Sequence, residues 1–454
     1  MSDPRSFKPN LRPQRDGWEW IPLGAYVENH DGRRIPISRK ERESRPGLFP
    51  YYGASGVIDT IDGYTHDGEF VLVGEDGANL LSRSKPLAFL TRGKVWVNNH
   101  AHVLKCKPSY SNAYLAYYIN SIDLSQYVTG TAQPKLSQSM MNRIRVPVAP
   151  PDQQREIVAE IEKQFSRLDE AVANLKRVKA NLKRYKAAVL KAAVEGRLVP
   201  AEAELARREG RSFETGAQLL QRILDTRRSQ WKGKGKYKEP SAPETAELPE
   251  VPEGWIWSSV DQLSDSALIG LDRGRDQQNA NGVGVPYVKM TNVSLDGLVD
   301  FSELVFVEAD ALECQRYELR DGDLLFNTRN SKELVGKTGL VRKPSKGAIY
   351  NNNLMRIRIV DGATSHFVIA QMCSAGFRRR LEFVKKATTN VAAVYAKDLF
   401  LLQLALPPTS EQHRIVAEVD RCLSLIRTVE TEVDANLKRA QILRQSVLAA
   451  AFLT

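Results

Sequence analysis

The sequence predicts an α+β fold in which one plan, a globular domain followed by a long helix, is used twice. Three observations carry this. A heptad pattern interrupted by lysines runs from Asp152 to Gly196; nearly the same pattern returns near the C-terminal end; and the stretches before the two runs repeat a series of short β-like segments and landmarks in the same order. Self-similarity of this kind is the sequence signature of a duplicated structural unit.

The first run reads DQQREIVAEIEKQFSRLDEAVANLKRVKANLKRYKAAVLKAAVEG after Pro150-Pro151. Its apolar positions are Val158, Ile161, Phe165, Leu168, Val172, Leu175, Leu182 and Val189, and only Lys179 and Lys186 break the seam. Apolar steps of three and four with charged flanks predict a coiled-coil helix. Asp152 suits the N-cap and Gly196 the stop. At about 1.5 Å per residue such a helix spans roughly 65 Å, longer than a compact domain needs. The second copy lies 258 residues on, with EQHRIVAEVD mirroring QQREIVAEIE and Ile415 matching Ile157. Its seam is Val416, Val419, Leu423, Ile426, Val433, Leu437 and Val447, with Glu430 and Arg444 as polar breaks that suit a register-setting role. Pro407-Pro408 precedes it, and Thr409 with Gln412 has capping-box spacing.

The expected organisation is a first domain over 1–150, a central helix over 151–197, a helix and exposed linker over 198–253, a second domain over 254–407 and a terminal helix over 408–454. The first domain opens, after a polar leader, at Gly17-Trp18-Glu19-Trp20. It holds β-like runs at Phe70–Val73, Leu87–Leu90, Val95–Val97 and Ala101–Leu104, a short helix at Tyr114–Ile122 and a last strand at Ile144–Val148. Gln218–Trp231 predicts an amphipathic helix through Leu219, Leu220, Ile223 and Leu224. The following WKGKGKYKEPSAPETAELPEVPEG reads as a solvated tether whose Lys232, Lys234, Lys236 and Lys238 are also suited to phosphates. Gly254-Trp255-Ile256-Trp257 then echoes the first opening. Asp321-Gly322-Asp323 echoes Asp67-Gly68-Glu69, and Asn351-Asn352-Asn353 echoes Asn98-Asn99-His100.

Composition bounds the function. A net charge of +11 and a pI near 9.3 favour a polyanionic partner, with nucleic acid the first candidate. No apolar run is long enough to cross a membrane, and the opening MSDPRSFKPN lacks the core of a signal peptide, so a cytoplasmic location is expected. Four scattered cysteines, Cys106, Cys314, Cys373 and Cys422, have neither metal nor disulfide spacing.

With both repeats in view, the chain resembles the DNA-specificity subunit of type I restriction–modification systems. The carrying residues are Tyr51-Tyr52-Gly53-Ala54-Ser55-Gly56, Gly74-Glu75-Asp76-Gly77-Ala78-Asn79, Val97-Asn98-Asn99-His100-Ala101-His102 and Gly130-Thr131-Ala132-Gln133-Pro134-Lys135-Leu136. To these add the helix starts and Ala192-Ala193-Val194-Glu195-Gly196-Arg197-Leu198. The second domain departs at the tyrosine motif, where Gly284-Val285-Pro286-Tyr287-Val288 is the counterpart. The resemblance implies two target-recognition domains, each reading one half of an asymmetric bipartite site on double-stranded DNA. It also implies that the two long helices lie antiparallel, in a pseudo-two-fold arrangement, set the gap between half-sites and dock two methyltransferase subunits. Those partners would use S-adenosylmethionine, and a motor and restriction subunit would use ATP and Mg; this chain itself is expected to hold no cofactor and to be no enzyme.

Base edges in the major groove need bidentate donors and acceptors, which Asn, Gln, Arg and Lys supply. In the first domain the candidates are Tyr51, Tyr52, Asn79, Arg83, Lys85, Asn98, Asn99 and His100. In the second they are Lys289, Asn292, Asn327, Arg329, Asn330, Asn351, Asn352 and Asn353. Asn-rich turns also arise from backbone preference alone, and Tyr51 and Tyr52 also suit packing. The basic face of the central helix (Lys176, Arg177, Lys179, Lys183, Arg184, Lys186, Lys191) suits DNA, a partner or plain solvation. Catalysis is not expected. Ala149-Pro150-Pro151-Asp152 and Leu406-Pro407-Pro408-Thr409 lack the acid and aromatic of an adenine-methyltransferase loop, and no GxxxxGK[ST] phosphate loop is present. His100 and His102 without further ligands are poor evidence for zinc. A protein-binding coiled-coil scaffold, or a related system with one fused methyltransferase–nuclease, stays open.

Overall fold

The computed structural model describes residues 18–453 apart from 131, 234, 389 and 390. The leader, Gly17 of the first opening motif, Thr131 and Lys234 therefore lie outside the described residues. The chain divides into two compact units, one of residues 1–178 with 432–454 and one of residues 179–431. Each unit thus holds one globular domain, the start of the long helix that follows it, and the end of the other long helix.

In the first unit, Glu19–Pro22 and Arg145–Val148 pair antiparallel and join the two ends of the domain. Between them lie two four-stranded sheets. One has the spatial order Val27–Asn29, Ala101–Cys106, Phe70–Gly74, Ala88–Thr91; the other runs Gly56–Ile61, Phe49–Gly53, Lys94–Val97, His66–Asp67. Phe70–Gly74 is buried at every position, which is why it reads as an unbroken apolar run rather than an alternating one. The helix Asn112–Ser121 packs Tyr114, Leu115 and Ile119 on that sheet, and Ser111 caps it by accepting the Tyr114 N–H.

The second unit repeats this plan. Ile256–Ser259 pairs with Gln403–Leu406, and one sheet has the order Ser264–Ile269, Leu354–Ile359, Leu324–Asn327, Thr338–Leu340. The parallel pairing of Tyr51 with Trp96 has its counterpart in that of Tyr287 with Ile349. Tyr287 is thus the positional equivalent of Tyr51, despite the changed motif around it.

The described residues of 198–253 hold two helices. The expected one runs Gly216–Ser229, capped by a Thr215–Gln218 box; a second, Glu202–Glu209, has no apolar period that would announce it. Leu219, Leu220 and Ile223 are buried together with Leu324, Phe326 and Ile357, so the first of these helices completes the second domain's core. Gly362, at φ +98°, faces Leu219 Cδ1, which a Cβ would meet at 3.1 Å. The described residues from 231 to 254 form neither helix nor strand.

The central helix runs Pro151–Val194 and the terminal helix Thr409–Leu453. Asp152 therefore sits in the first turn rather than at the N-cap, while Gly196 ends the helix at φ +66°. The capping box expected of Thr409 and Gln412 does not form. Gln412 instead accepts the Thr364 N–H at 2.9 Å and donates to the Pro407 carbonyl at 3.0 Å, because the domain edge offers it partners. The helices are antiparallel. In the first unit Ile161 and Phe165 of the central helix share a core with Leu448 and Phe452 of the terminal helix; in the second, Val189 and Ala193 share one with Ile415, Val419 and Cys422.

One joint is built twice. Trp18 Nε1 donates to Gln153 at 2.8 Å, and Gln154 accepts the Ser111 N–H at 3.0 Å while donating to the Ala149 carbonyl at 2.8 Å. At the matching positions Trp255 Nε1 donates to Glu411 at 2.9 Å, and Gln412 makes the two bonds just described. A helix start offers N–H groups and side chains in fixed directions, so a domain edge docks there with defined orientation.

Candidate nucleic-acid interface

In the first domain the three polar motifs converge. Glu75 N–H donates to the His100 carbonyl at 2.9 Å, Gly77 N–H to the Pro134 carbonyl at 3.0 Å, and Leu136 N–H to the Glu75 carbonyl at 2.7 Å. The turn of the tyrosine hairpin also abuts this place. A Cβ on Gly74 would meet the Ala54 carbonyl oxygen at 2.7 Å, so only glycine fits.

A network of charged side chains lies at that convergence. Arg34 Nη1 donates to Glu75 Oε2 at 2.6 Å and to the Ala101 carbonyl at 2.9 Å, and its Nη2 lies 3.4 Å from Asp31 Oδ2. His102, 1% exposed, places Nδ1 2.6 Å from Asp31 Oδ2 and Nε2 2.8 Å from the Leu136 carbonyl. Both ring partners accept, so both nitrogens carry protons and the ring is an imidazolium. Burial opposes that charge, yet the Asp31 carboxylate and the Leu136 carbonyl outweigh it and raise the His102 pKa. Burial likewise opposes the Asp31 and Glu75 charges, and the bonds from His102 and the Val103 N–H, and from Arg34, lower their pKa values. Lys135 Nζ completes the group 3.2 Å from Glu75 Oε1. The ligand atoms of Asp31, Glu75 and His102 all lie within 4.8 Å of one another. Arg34 and Lys135 already engage these carboxylates, which makes this an ion network rather than an open ligand set.

The structure sorts the first domain's candidates by what their side chains already do. Tyr51 is buried, its hydroxyl 3.2 Å from the Ile37 N–H, and Arg42 lies over its ring. Tyr52 is half-buried and stacks on Phe89 at 5.7 Å between centroids. Asn98 is buried and accepts the His100 N–H at 2.8 Å. Asn79 accepts the Lys85 N–H at 2.9 Å and so shapes its own loop, and Arg83, at φ 50°, donates to the Asn120 carbonyl. Lys85, Asn99 and His100 are exposed; His100 Nδ1 lies 2.8 Å from Asp76 Oδ2.

In the second domain Thr328 stands where the first has Glu75, and Asn353 where it has His100. Asn327 is fully buried, donates to the Arg329 and Asn353 carbonyls at 3.2 and 3.0 Å, and accepts from Asn330 Nδ2 at 2.8 Å. Val394 N–H donates to the Thr328 carbonyl at 2.9 Å, the counterpart of Leu136 to Glu75. Asn351 is buried with its Oδ1 unpartnered, and Asn352 and Asn353 are half-buried. Asn292 accepts the Lys289 N–H at 2.9 Å and donates to the Glu303 carbonyl at 2.9 Å, while Lys289 Nζ donates to Gln278 at 3.2 Å. Arg329 is exposed. Lys337, which sequence reasoning missed, is 8% exposed and donates to the Met290 and Val293 carbonyls at 2.9 and 2.7 Å, clamping the Lys289–Asn292 loop to the turn after Asn327. Burial lowers its pKa.

Among the missed residues of the first domain, Glu75 and Lys135 stand inside motifs already singled out. Asp31 and Arg34 stand in a stretch with no pattern, and only folding brings them to His102 and Glu75.

Comparisons with known proteins agree with this picture. The family model described as the type I restriction modification DNA specificity domain matches residues 15–184. A chain from Haemophilus influenzae named as a type I restriction enzyme specificity subunit is 38% identical over 141 residues, 31% of this chain and 35% of the relative. The EcoKI specificity subunit of Escherichia coli K12 is 33% identical over 191 residues, 41% of each chain. These alignments span well under half of either relative. The EcoDI specificity subunit of Escherichia coli is 20% identical, over 96% of this chain and 88% of the relative. A chain from a solved structure of a type I R-M system superposes with a TM-score of 0.61 at 17% identity, covering 98% of this chain and 99% of the other, which is likeness of fold.

Proposed function

We propose that this chain, whose residues 15–184 match the type I restriction modification DNA specificity domain, is the non-catalytic DNA-reading subunit of a type I restriction–modification complex. Each globular domain reads one half of an asymmetric bipartite site. The paired helices set the gap and dock two methyltransferase subunits, with restriction and motor subunits joining them. Methyl transfer from S-adenosylmethionine and ATP- and Mg-dependent restriction are then the partners' chemistry, and the complex works on chromosomal DNA in the cytoplasm.

The observation that carries this reading is a shared frame with unlike loops. Both domains hold their loops with the same strand pairings and the same joint, yet equivalent loop positions present Glu75, Asp76 and His100 in one and Thr328, Arg329 and Asn353 in the other. Two readers of one half-site would keep their loop chemistry; readers of different half-sites must differ in it. Exposed candidates Lys85, Asn99, His100 and Arg329 are the side chains placed to touch DNA. The buried Tyr51, Asn98, Asn327 and Asn351 position them. Apolar side chains left exposed on the helices, Val178, Ile442 and Leu443 in the first unit and Tyr185, Leu425 and Val429 in the second, support a docking face for a partner protein.

Genome-wide detection of N6-methyladenine with and without the gene tests the reading. Loss of one bipartite motif in the deletion is the expected result. An unchanged methylome in cells expressing the system would overturn it.

A further inference from the structure

We propose that Lys135 grips a DNA phosphate and that Glu75, braced from behind by Arg34, is the positioning residue that aims it. This inference rests on the DNA-reading function above and adds a contact that no candidate set from sequence contains. The first observation is exposure: the Lys135 side chain is 54% exposed while the Glu75 side chain it meets is 12% exposed, so the ammonium stands at the surface and its anchor does not.

The second is charge balance. With His102 an imidazolium, the network holds three cations (Arg34, His102, Lys135) against two carboxylates (Asp31, Glu75). The neighbouring Asp76 carboxylate is engaged by His100, and among these five groups one positive charge is left over. It cannot reside on His102, whose two nitrogens are buried against Asp31 and the Leu136 carbonyl, nor on Arg34, whose side chain is 16% exposed and makes bonds to Asp31, Glu75 and Ala101. It falls on Lys135. Glu75 is shared, Oε2 with Arg34 at 2.6 Å and Oε1 with Lys135 at 3.2 Å, so the lysine is oriented without being neutralised. An ammonium has three N–H donors, and the Glu75 bond uses one.

The third is placement. Lys135 lies in backbone register with Asp76, whose side chain pairs with the exposed His100, and its own N–H and carbonyl are tied to Thr129 at 2.8 and 2.9 Å. The lysine thus stands one residue pair away from the exposed candidate His100. A point charge beside base-reading side chains suits the register-setting role of phosphate contacts, where a guanidinium fork would suit a base edge.

The test measures binding of the full chain to a duplex carrying its methylation motif and to a scrambled duplex, as a function of salt. Each phosphate contact contributes about 0.9 to the slope of log K against log salt. Lys135→Met should lower that slope by about 0.9 and weaken both duplexes by the same factor. Lys135→Arg should restore the slope. Glu75→Gln keeps the lysine's charge, so it should keep the slope while weakening both duplexes several-fold. An unchanged slope in Lys135→Met, with the parent's specificity and thermal unfolding intact, would overturn the contact and leave the DNA-reading function standing. A parent chain that prefers neither duplex would overturn the function itself.

Discussion

In the first unit the domain hangs on the helix through Trp18 and a neutral acceptor, Gln153; in the second, Trp255 meets the carboxylate of Glu411 at the matching position. Gln153 is on the exposed side of its helix, whereas Glu411 is fully buried and also accepts the Glu202 N–H at 2.8 Å. Glu202, itself 2% exposed, is paired with Arg414 at 2.6 Å and Arg211 at 2.6 Å. The difference follows from what covers each joint. The helix Glu202–Glu209 packs over the second one and brings an N–H donor that a carboxylate can accept with its second oxygen. A carboxamide has one acceptor oxygen; a carboxylate has two. The same backbone plan therefore tolerates a neutral and an acidic solution.

The polar breaks in the two helix seams differ for a related reason. Arg444 pairs with Asp169 of the other helix at 2.6 Å and lies 4.0 Å above the Phe165 ring. Lys186 is its equivalent in the first copy, but the residue matching Asp169 is Arg427, a like charge. Lys186 turns to Asp296 of the second domain instead, at 2.6 Å. One seam break locks helix to helix, and the other locks helix to domain.

The largest expected effect separates the two tryptophans. Trp18→Ala and Trp255→Ala each remove a buried indole, at about 3–5 kcal/mol. Trp255→Ala should cost about 1–3 kcal/mol more, because it strips a donor from a buried carboxylate. Denaturant unfolding of both variants measures this, and equal costs would remove the distinction between the joints.

A smaller effect is tied to pH. Burial raises the Glu411 pKa above its ordinary value of 4.5, with the neighbouring Glu202 charge adding to it and the bonds from Glu202 N–H and Trp255 opposing. A carboxyl whose folded pKa exceeds its unfolded one stabilises the fold while protonated, and that contribution is lost as pH rises through the folded value. Glu411→Gln should accordingly gain stability relative to the parent as pH rises above 4.5, and Gln153→Ala should show no such tilt. Thermal unfolding of the variants across pH checks the sign; a flat difference for Glu411→Gln would sink the assignment.

The smallest effect concerns the seam breaks. Both ion pairs are largely solvent-exposed on their acidic side, so each is worth about 0–1 kcal/mol. Arg444→Ala should cost more than Lys186→Ala by about 0.5–1 kcal/mol, the contribution of a cation over an aromatic face. Double-mutant cycles with Asp169 and Asp296 separate the pair energies, and a larger coupling for Lys186 with Asp296 would reverse the ranking.

Much of this architecture was legible beforehand. The two helices, the strands Phe70–Gly74 and Ala101–Cys106, the helix after them and the echoed openings follow from apolar period and turn residues, which depend on near neighbours. Candidate site residues were legible as chemistry but not as direction. Asn98 and Asn327 have the groups that read bases, yet both are buried and hold loops in place. Lys135 lies in a quoted motif that gave no sign of its partner, because Glu75 comes to it from 60 residues away in the chain.

By itself, then, the sequence determined the duplicated domain-and-helix plan, the seams and the basic balance, since each is a pattern of residue types along the chain. Tertiary structure alone decided which polar groups face inward, that Asp31 and Arg34 complete a network around His102 and Glu75, and that Lys186 and Arg444 take unlike partners. Period says which face of an element is buried. It does not say which distant charge will stand within 3 Å of that face, and hydrogen bonds and ion pairs are settled at that distance.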